Sequence, residues 1–182
     1  MNIFAIESDN QGNIDWIKSA QSQDNYRVVK MILESCQILS TVLNEQGVQA
    51  PYRSFNPKHP SCLWAAESSA NFEALVEHCY ALINEYEERF SKDHKCAQVL
   101  EKIVDLYEPA RFPTADLTPL KAAMPDSFRG EDIVESYRKY LKTVMANPTN
   151  QPKKSIDKIK KERKRKYGEI TDNDIDNFIE DL

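Results

Sequence analysis

The stretch SCLWAAESSANFEALVEHCYALINEYEERF, residues 61–90, predicts one long amphipathic helix. Its apolar side chains recur at steps of three and four residues, which is the spacing of a single helical face. The members of this stripe are Trp64, Phe72, Leu75, Val76, Cys79, Leu82, Ile83, Tyr86 and Phe90. Because one long apolar stripe needs other helices to cover it, we expect an all-α domain around this helix.

Shorter patterns on both sides of this helix agree with that expectation. The predicted segments are an arm at 1–6, a helix from Asp24 to Gly47, a loop at 51–60, a helix from Asp93, a loop at 109–125 and a helix at 131–144. The apolar arm is expected to form either a small strand or a segment buried against the helices. We predict a compact helical domain over residues 1–146, followed by a charged helical tail over residues 147–182.

The counts of a few residue types exclude several classes of protein. The 182 residues contain only four glycines, which are too far apart for a dinucleotide-binding or P-loop motif. The four cysteines form no C-x-x-C motif and the three histidines have no ligand spacing, so we expect no metal and no other cofactor. With no membrane-length apolar run and no recognisable signal peptide, the chain is expected in the cytoplasm, without a membrane partner.

Charge is divided into three blocks along the chain. Residues 1–152 carry 15 Lys and Arg against 21 Asp and Glu (−6), residues 153–167 carry nine basic and two acidic residues (+7), and residues 168–182 carry six acidic residues (−6). The middle block is typical of phosphate binding. Its candidate phosphate-binding residues are Lys160, Lys161, Arg163, Lys164, Arg165 and Lys166. The alternative is a solvated linker helix whose charges pair with the acidic end.

A polar patch on the long helix is one candidate for chemistry. Trp64, Glu67, Ser68 and Asn71 fall on or beside one helical face. An indole and an amide suit contacts to a base or a sugar. The alternative is a satisfied polar patch that supports the loop at 51–60.

Glu34 is a second candidate, because it lies inside the most apolar stretch of the helix that follows Asp24. Lys30 precedes it by four residues, so the two side chains could form an ordinary surface pair. Arg27 lies two turns before Glu34 on the same face. The alternative to the surface pair is a partly buried carboxylate that is held against a partner.

The C-terminal end of the long helix is a third candidate. Tyr86, Arg89, Lys92 and His94 crowd this end, after the acidic Glu85. Such a group could contact a substrate. Cations at a helix C-terminus also stabilise the helix in their own right, which is the alternative.

Six segments together resemble a family of small phage and bacterial proteins. They are MNIF at 1–4, VVKMILES at 28–35, HPSCLWAAES at 59–68 with Asn71, EYEERFSKDHK at 85–95, AMPDSF at 123–128 and VESYRKYL at 134–141. Members of this family are described by similarity as pyrimidine-dimer DNA glycosylases. The resemblance covers about residues 1–145 and excludes the charged tail.

A more distant resemblance is to phage endonuclease V, an all-helical pyrimidine-dimer glycosylase. That family uses an N-terminal α-amine as nucleophile and a glutamate of the first long helix, which would fall on Glu34. His59 is similar to the family's histidine at the start of the second segment. Glu85 and Arg89 are similar to its E-x-x-x-R step. The chain departs from the family at Arg27, where a histidine is expected.

The resemblance implies a role for each of these residues. The α-amine of Met1 would attack C1′ of a deoxyribose to form a Schiff base, and Glu34 would stabilise positive charge on the sugar and move a proton for β-elimination. Arg27 and His59 complete the implied catalytic set. The implied substrate-binding residues are Trp64, Glu67, Ser68, Asn71, Tyr86, Arg89, Lys92 and His94. Since Asn2 favours retention of Met1, the amine would belong to methionine.

Two other functions fit the sequence. One is a phage accessory factor without catalysis that binds DNA, or a host or phage protein, through the charged tail. The other is a nucleotide-modifying or base-modifying enzyme on the same scaffold, which suits the acidic body. The acidic end at 168–182 could also fold over the basic block or the DNA site and inhibit it. DNA is the expected partner in the glycosylase interpretation, and the oligomeric state is left open.

Overall fold

The computed structural model describes residues 1–146, and every regular element in this part of the chain is helical. The helices are α1 (Trp16–Gln21), α2 (Asn25–Glu45), α3 (Pro60–Glu67), α4 (Ser69–Phe90), α5 (Cys96–Asp105) and α6 (Ile133–Ala146), with short 3-10 turns at Pro109–Arg111 and Asp126–Phe128. Residues Met1–Leu141 form one unit in which α2 packs along α4. The expected all-α fold is confirmed.

The predicted tail lies outside the described residues. This applies to its linker, to the basic block at 153–167 with its candidate phosphate-binding residues, and to the acidic block at 168–182. The domain boundary at 146 stays a prediction.

Local sequence signals place α2 correctly. The Asp24 carboxylate caps its N-terminus by accepting from the backbone N–H groups of Tyr26 and Arg27. The helix ends just before Gly47, whose φ of +80° suits glycine. The apolar residues spaced along α2, such as Val28, Ile32 and Leu39, are fully buried. The helical period therefore selects the face of α2 that enters the core.

The single long helix predicted for 61–90 is wrong, because the chain breaks at Ser68. Ser68 is extended (φ −149°, ψ 158°), and its hydroxyl accepts from Asn71 N–H and so caps α4. Next to the break, the Ser69 N–H donates to the carbonyl of Thr114 over 3.0 Å. A short parallel bridge to a distant segment thus replaces one helical turn and divides the helix into α3 and α4.

The predicted starts of the last two helices also shift. α5 begins at Cys96 rather than near Asp93, because His94 Nδ1 accepts from the Cys96 N–H at the first turn. α6 begins at Ile133, because the Asp132 carboxylate accepts from the backbone N–H groups of Val134 and Glu135. In both cases a neighbouring polar side chain sets the first helical residue.

The N-terminal arm is a buried segment and not a strand. Its side chains from Ile3 to Ile6 are at most 5% exposed. On one side the Ser19 hydroxyl of α1 accepts from the N–H groups of Ile6 and Glu7. On the other side the Arg138 guanidinium of α6 donates to the Ile6 carbonyl over 2.6 Å. These contacts fix the arm and therefore the position of the first residue.

A bilayer-spanning helix is not found in the part of the chain that the structure describes.

Candidate functional site

The first nitrogen of the chain lies beside Glu34. The Met1 α-amine is 3.8 Å from Glu34 Oε2, and the Asn2 backbone N–H donates to the same oxygen over 2.9 Å. Glu34 stands at the edge of the buried face of α2, with 13% of its side chain exposed. The fold therefore brings together the amine and the carboxylate that the resemblance implies for catalysis.

The main chain of Met1 reaches the surface although the rest of the arm is buried. The Met1 side chain is only 2% exposed, whereas the residue as a whole is half-buried, so the surface that Met1 exposes belongs to its main chain. The Asn2 side chain fixes this end by donating to the Ala123 carbonyl and accepting from the Ile3 N–H. A chain terminus that is held in one place and reaches the surface is suited to react with a large substrate.

Lys30 brings a second amine to Glu34. Its Nζ lies 3.6 Å from Glu34 Oε1, which is the i,i+4 pair that the sequence allows. The carboxylate therefore has the α-amine near one oxygen and a lysine near the other. Nearly half of the Lys30 side chain is exposed, so this cation is also accessible from solvent.

His59 belongs to the same place. It precedes α3, and its Nδ1 accepts from the Ser61 N–H, so a neutral ring carries its proton on Nε2. Burial lowers the pKa of His59, and the positive charge of the Met1 amine lowers it further. The same amine opposes the burial that raises the pKa of Cys62 to about 11. The amine is thus close enough to act on both groups, and we call Met1, Lys30, Glu34 and His59 the N-terminal corner.

Arg27 does not join the N-terminal corner through any contact of the described residues. Its guanidinium is buried and donates to the Asp24 carboxylate over 2.7 Å, at the first turn of α2. Its carbon Cζ also lies 5.7 Å from the Tyr26 ring centroid. These contacts hold the start of the helix that carries Glu34, so Arg27 occupies a supporting position.

The polar patch on α3 and α4 forms a closed network with a distant segment. Asn71 Nδ2 donates to the Trp64 carbonyl and to the Thr118 hydroxyl, each over 2.7 Å, and Asn71 Oδ1 accepts from the Thr118 N–H. The Trp64 indole N–H donates to the Thr118 carbonyl. Glu67 accepts from the Thr118 hydroxyl and from Lys121. We call these five residues the Trp64–Thr118 cluster.

The Trp64–Thr118 cluster attaches the segment around Thr118 to the helices. Trp64 and Asn71 are fully buried, and the Ser68 hydroxyl is used as the cap of α4. The sequence allowed two interpretations of this patch, either a substrate-binding surface or a hydrogen-bonded group that supports the loop at 51–60. The contacts are those of a satisfied patch, but the segment that it supports is 114–121.

The residues at the end of α4 also make contacts within the chain. The Arg89 guanidinium pairs with Glu85 and donates to the carbonyls of Gln21 and Gln23, which ties the turn after α1 to α4. Tyr86 is fully buried and packs against the rings of Phe90 and His94. Lys92 Nζ lies 5.6 Å from the Tyr86 ring centroid, and His94 caps α5. None of these contacts brings the group to the N-terminal corner.

Sequence reasoning missed the tip of the loop at 51–60 as a candidate for binding. Phe55 is 59% exposed, and the neighbouring Arg53 and Lys58 are exposed cations without an ion pair among the described residues. One signal was available, since an aromatic residue between prolines in a polar loop has no helical or strand period to bury it.

This loop is held in one shape and leads to the N-terminal corner. Asn44 donates to the Tyr52 carbonyl, and the Thr41 hydroxyl accepts from the Phe55 N–H. Both anchors are on α2, and Thr41 follows Glu34 by two turns, about 10 Å along the axis. The chain therefore runs back along α2 past Phe55 until it reaches His59. Phe55 therefore lies beside α2, on the loop that ends at His59.

Among residues 1–146, no group of three or more His, Cys, Asp or Glu side chains is arranged to hold a metal ion, and the four cysteines are free and buried. Comparison with models of protein families, with curated proteins and with solved structures gives no match to this chain.

Proposed function

We propose that this chain acts on DNA as a glycosylase and AP lyase, with the Met1 α-amine as nucleophile and Glu34 as the group that moves protons. The observation that carries the proposal is the 3.8 Å separation between the amine nitrogen and Glu34 Oε2, at a point where the Met1 main chain reaches the surface. An α-amine is less basic than a lysine side chain, so more of it is in the nucleophilic form at neutral pH.

The chemistry uses the groups of the N-terminal corner in sequence. The amine attacks C1′ and displaces the base, which takes up a proton, and the sugar ring then opens as the C1′–O4′ bond breaks and O4′ is protonated. At an abasic sugar the amine instead condenses with the aldehyde and releases water. Either route gives a protonated imine. Glu34 then removes a proton from C2′, and the electron pair expels the 3′ phosphate. Water hydrolyses the remaining imine and returns the free amine. Glu34 faces the positive charge of the imine throughout.

The cations around this point support a nucleic-acid substrate. The body is acidic, so phosphate contacts need a local source of positive charge. Lys30, Arg53 and Lys58 are exposed basic side chains on α2 and on the loop beside it. Phe55 offers an exposed ring on which an unstacked base could lie. His59 can donate from Nε2 to a phosphate or to the leaving base.

Loss of Met1 would not remove the amine from the carboxylate. The Asn2 nitrogen is 2.9 Å from Glu34 Oε2, so a chain processed after Met1 would begin with an amine beside the same oxygen. The proposal therefore holds for either N-terminus, and an intact-mass measurement shows which one a preparation carries.

Borohydride trapping tests the proposal. The full chain is mixed with an oligonucleotide that contains one abasic site, and borohydride reduces any imine to a stable covalent link. We expect a trapped species with the wild-type chain. Its yield should fall at least about 100-fold in Glu34→Gln and stay the same in Glu101→Gln, which carries the same change on α5. An N-terminal extension that moves the amine away from Glu34 should also abolish trapping.

The trapped residue must then be identified, because Lys30 also lies beside Glu34. Proteolysis and mass spectrometry should place the sugar on the first residue of the chain. A well-folded protein that traps nothing, or one that is modified only on Lys30, contradicts the α-amine mechanism. Binding to the abasic oligonucleotide without trapping would favour the accessory DNA-binding function instead.

A further inference from the structure

A concave surface lies along α4, on the side lined by α1 and α5. It encloses about 580 Å³. The lining residues include Phe72, Val76 and Ala81 from α4, Ile17 from α1 and Val104 from α5. Ile17 is 48% exposed and Val104 is 36% exposed, although both are apolar. We call this surface the α4 groove.

Carboxylates border the α4 groove along its length. Glu73, Glu77, Glu85 and Glu88 line it, and none of its lining residues is Lys, Arg or His. From Glu73 to Glu88 the distance along α4 is about 22 Å, which corresponds to four helical turns. A groove of this length is long enough to receive a short helix.

Two of these carboxylates are available to a partner. Glu77 and Glu88 are exposed and have no ion pair within residues 1–146. Glu85 pairs with Arg89, and Glu73 accepts a hydrogen bond from the Tyr107 hydroxyl. Free carboxylates beside exposed apolar side chains are complementary to a ligand with a cationic face and an apolar face.

We propose that the α4 groove binds a cationic amphipathic helix of a partner protein. Its apolar side chains, at steps of three and four residues, would pack on the groove floor between Ile17 and Val104. Its lysines or arginines would pair with Glu77 and Glu88. Nucleic acid is disfavoured at this surface, since phosphates would meet carboxylates without a compensating cation. The proposal does not depend on the chemistry of the N-terminal corner.

A fluorescent peptide titration with the full chain tests this inference. The probe is a synthetic helix of about 18 residues, built from Leu at helical spacing and Lys elsewhere, and a scrambled peptide of the same composition is the reference. We expect the patterned peptide to bind, and Glu77→Lys with Glu88→Lys to weaken it at least about tenfold. The matched control is Asp116→Lys with Glu131→Lys, which changes the net charge equally at exposed positions that do not line the groove.

The apolar floor is tested separately. Ile17→Ser with Val104→Ser should weaken the patterned peptide several-fold and leave the thermal transition of the protein nearly unchanged, because both side chains are already exposed. Equal binding of the scrambled peptide, an equal loss in the control variant, or no binding at all would overturn the proposal. The proposal would also be overturned if light scattering showed that the chain is a dimer and that Glu77→Lys with Glu88→Lys converts it to a monomer, because the groove would then bind a second copy of the chain. Trapping of an abasic oligonucleotide should be the same in all these variants.

Discussion

The N-terminal corner and the Trp64–Thr118 cluster both join helical residues to a non-helical segment through polar groups, yet their contacts differ. In the Trp64–Thr118 cluster Asn71 and Trp64 are fully buried, the indole N–H donates to the Thr118 carbonyl, and the Asn71 amide bonds to Thr118 and to the Trp64 main-chain carbonyl. In the N-terminal corner the Met1 amine and Lys30 lie beside one carboxylate, the Met1 main chain reaches the surface, and nearly half of the Lys30 side chain is exposed.

This difference separates stability from chemistry. A buried network in which every group is bonded resists change, since removal of one member leaves its partners unsatisfied. A charged group near the surface contributes little to folding because water screens it, and it can still interact with a substrate. We therefore expect substitutions in the two regions to have opposite signatures, with stability lost in the first and activity lost in the second.

Asn71→Ala should give the largest change in stability. The substitution leaves the Trp64 carbonyl and the Thr118 N–H without partners in a buried site, and we expect a loss of about 4 kcal/mol in the free energy of unfolding. Urea denaturation followed by circular dichroism measures it. Trapping of an abasic oligonucleotide should persist at temperatures where the variant is folded.

Glu67→Gln is the control within the same cluster. Its carboxylate is 38% exposed and keeps an amide oxygen for Thr118 after substitution, so the loss should stay below about 1 kcal/mol. If Asn71→Ala costs no more than this control, the cluster does not hold the fold as its contacts indicate.

His78 extends the comparison to the pH dependence of stability. Its ring is buried and both ring nitrogens have partners, whereas His59 is half-buried. Burial lowers the pKa of His78 to about 4, while its ring contacts the Trp16 carbonyl and Gln23. Because the folded pKa is below the unfolded value of 6.5, the contribution of this group is complete above pH 6.5 and is lost as pH falls toward 4. Between about pH 7 and about pH 5 the loss should be about 2 kcal/mol.

Urea midpoints at several pH values, for the wild-type chain and for His78→Gln, check this expectation. The variant should be less stable at neutral pH, and its midpoint should fall less on acidification. A parallel decline in both proteins would show that other groups cause the acid sensitivity.

The sequence was sufficient for the parts of the fold that local signals determine. Asp24 and Gly47 correctly marked the two ends of α2, and the helical spacing of its apolar residues identified the buried face. The break at Ser68 was missed because it depends on pairing with Thr114, which lies far along the chain.

The candidate site was only partly accessible to the same reasoning. The sequence left Glu34 either as a surface partner of Lys30 or as a partly buried carboxylate, and the i,i+4 spacing gave its pair with Lys30. The approach of Met1 to Glu34 was expected from the resemblance alone, since no local pattern reports where an arm ends. The hydrogen bonds between Asn71 and Thr118 could not be predicted from helical spacing, because the two residues are 47 positions apart in the sequence.

Glu34→Gln should have the smallest effect on stability and is the sharpest test of the comparison. The amide keeps an oxygen that can accept from the Asn2 N–H, and the lost attractions to Met1 and Lys30 are those of partly exposed ions. We expect the free energy of unfolding to change by less than about 1 kcal/mol. Urea denaturation of this variant beside Asn71→Ala makes the measurement.

The result has a direct bearing on the proposed chemistry. If Glu34→Gln abolishes trapping while the fold keeps its stability, the carboxylate is retained for reaction and not for packing. If the substitution destabilises the chain as much as Asn71→Ala does, Glu34 is the anchor that holds the arm. Loss of trapping would then report a displaced amine, because the Asn2 N–H would have lost its acceptor and the first residue its position.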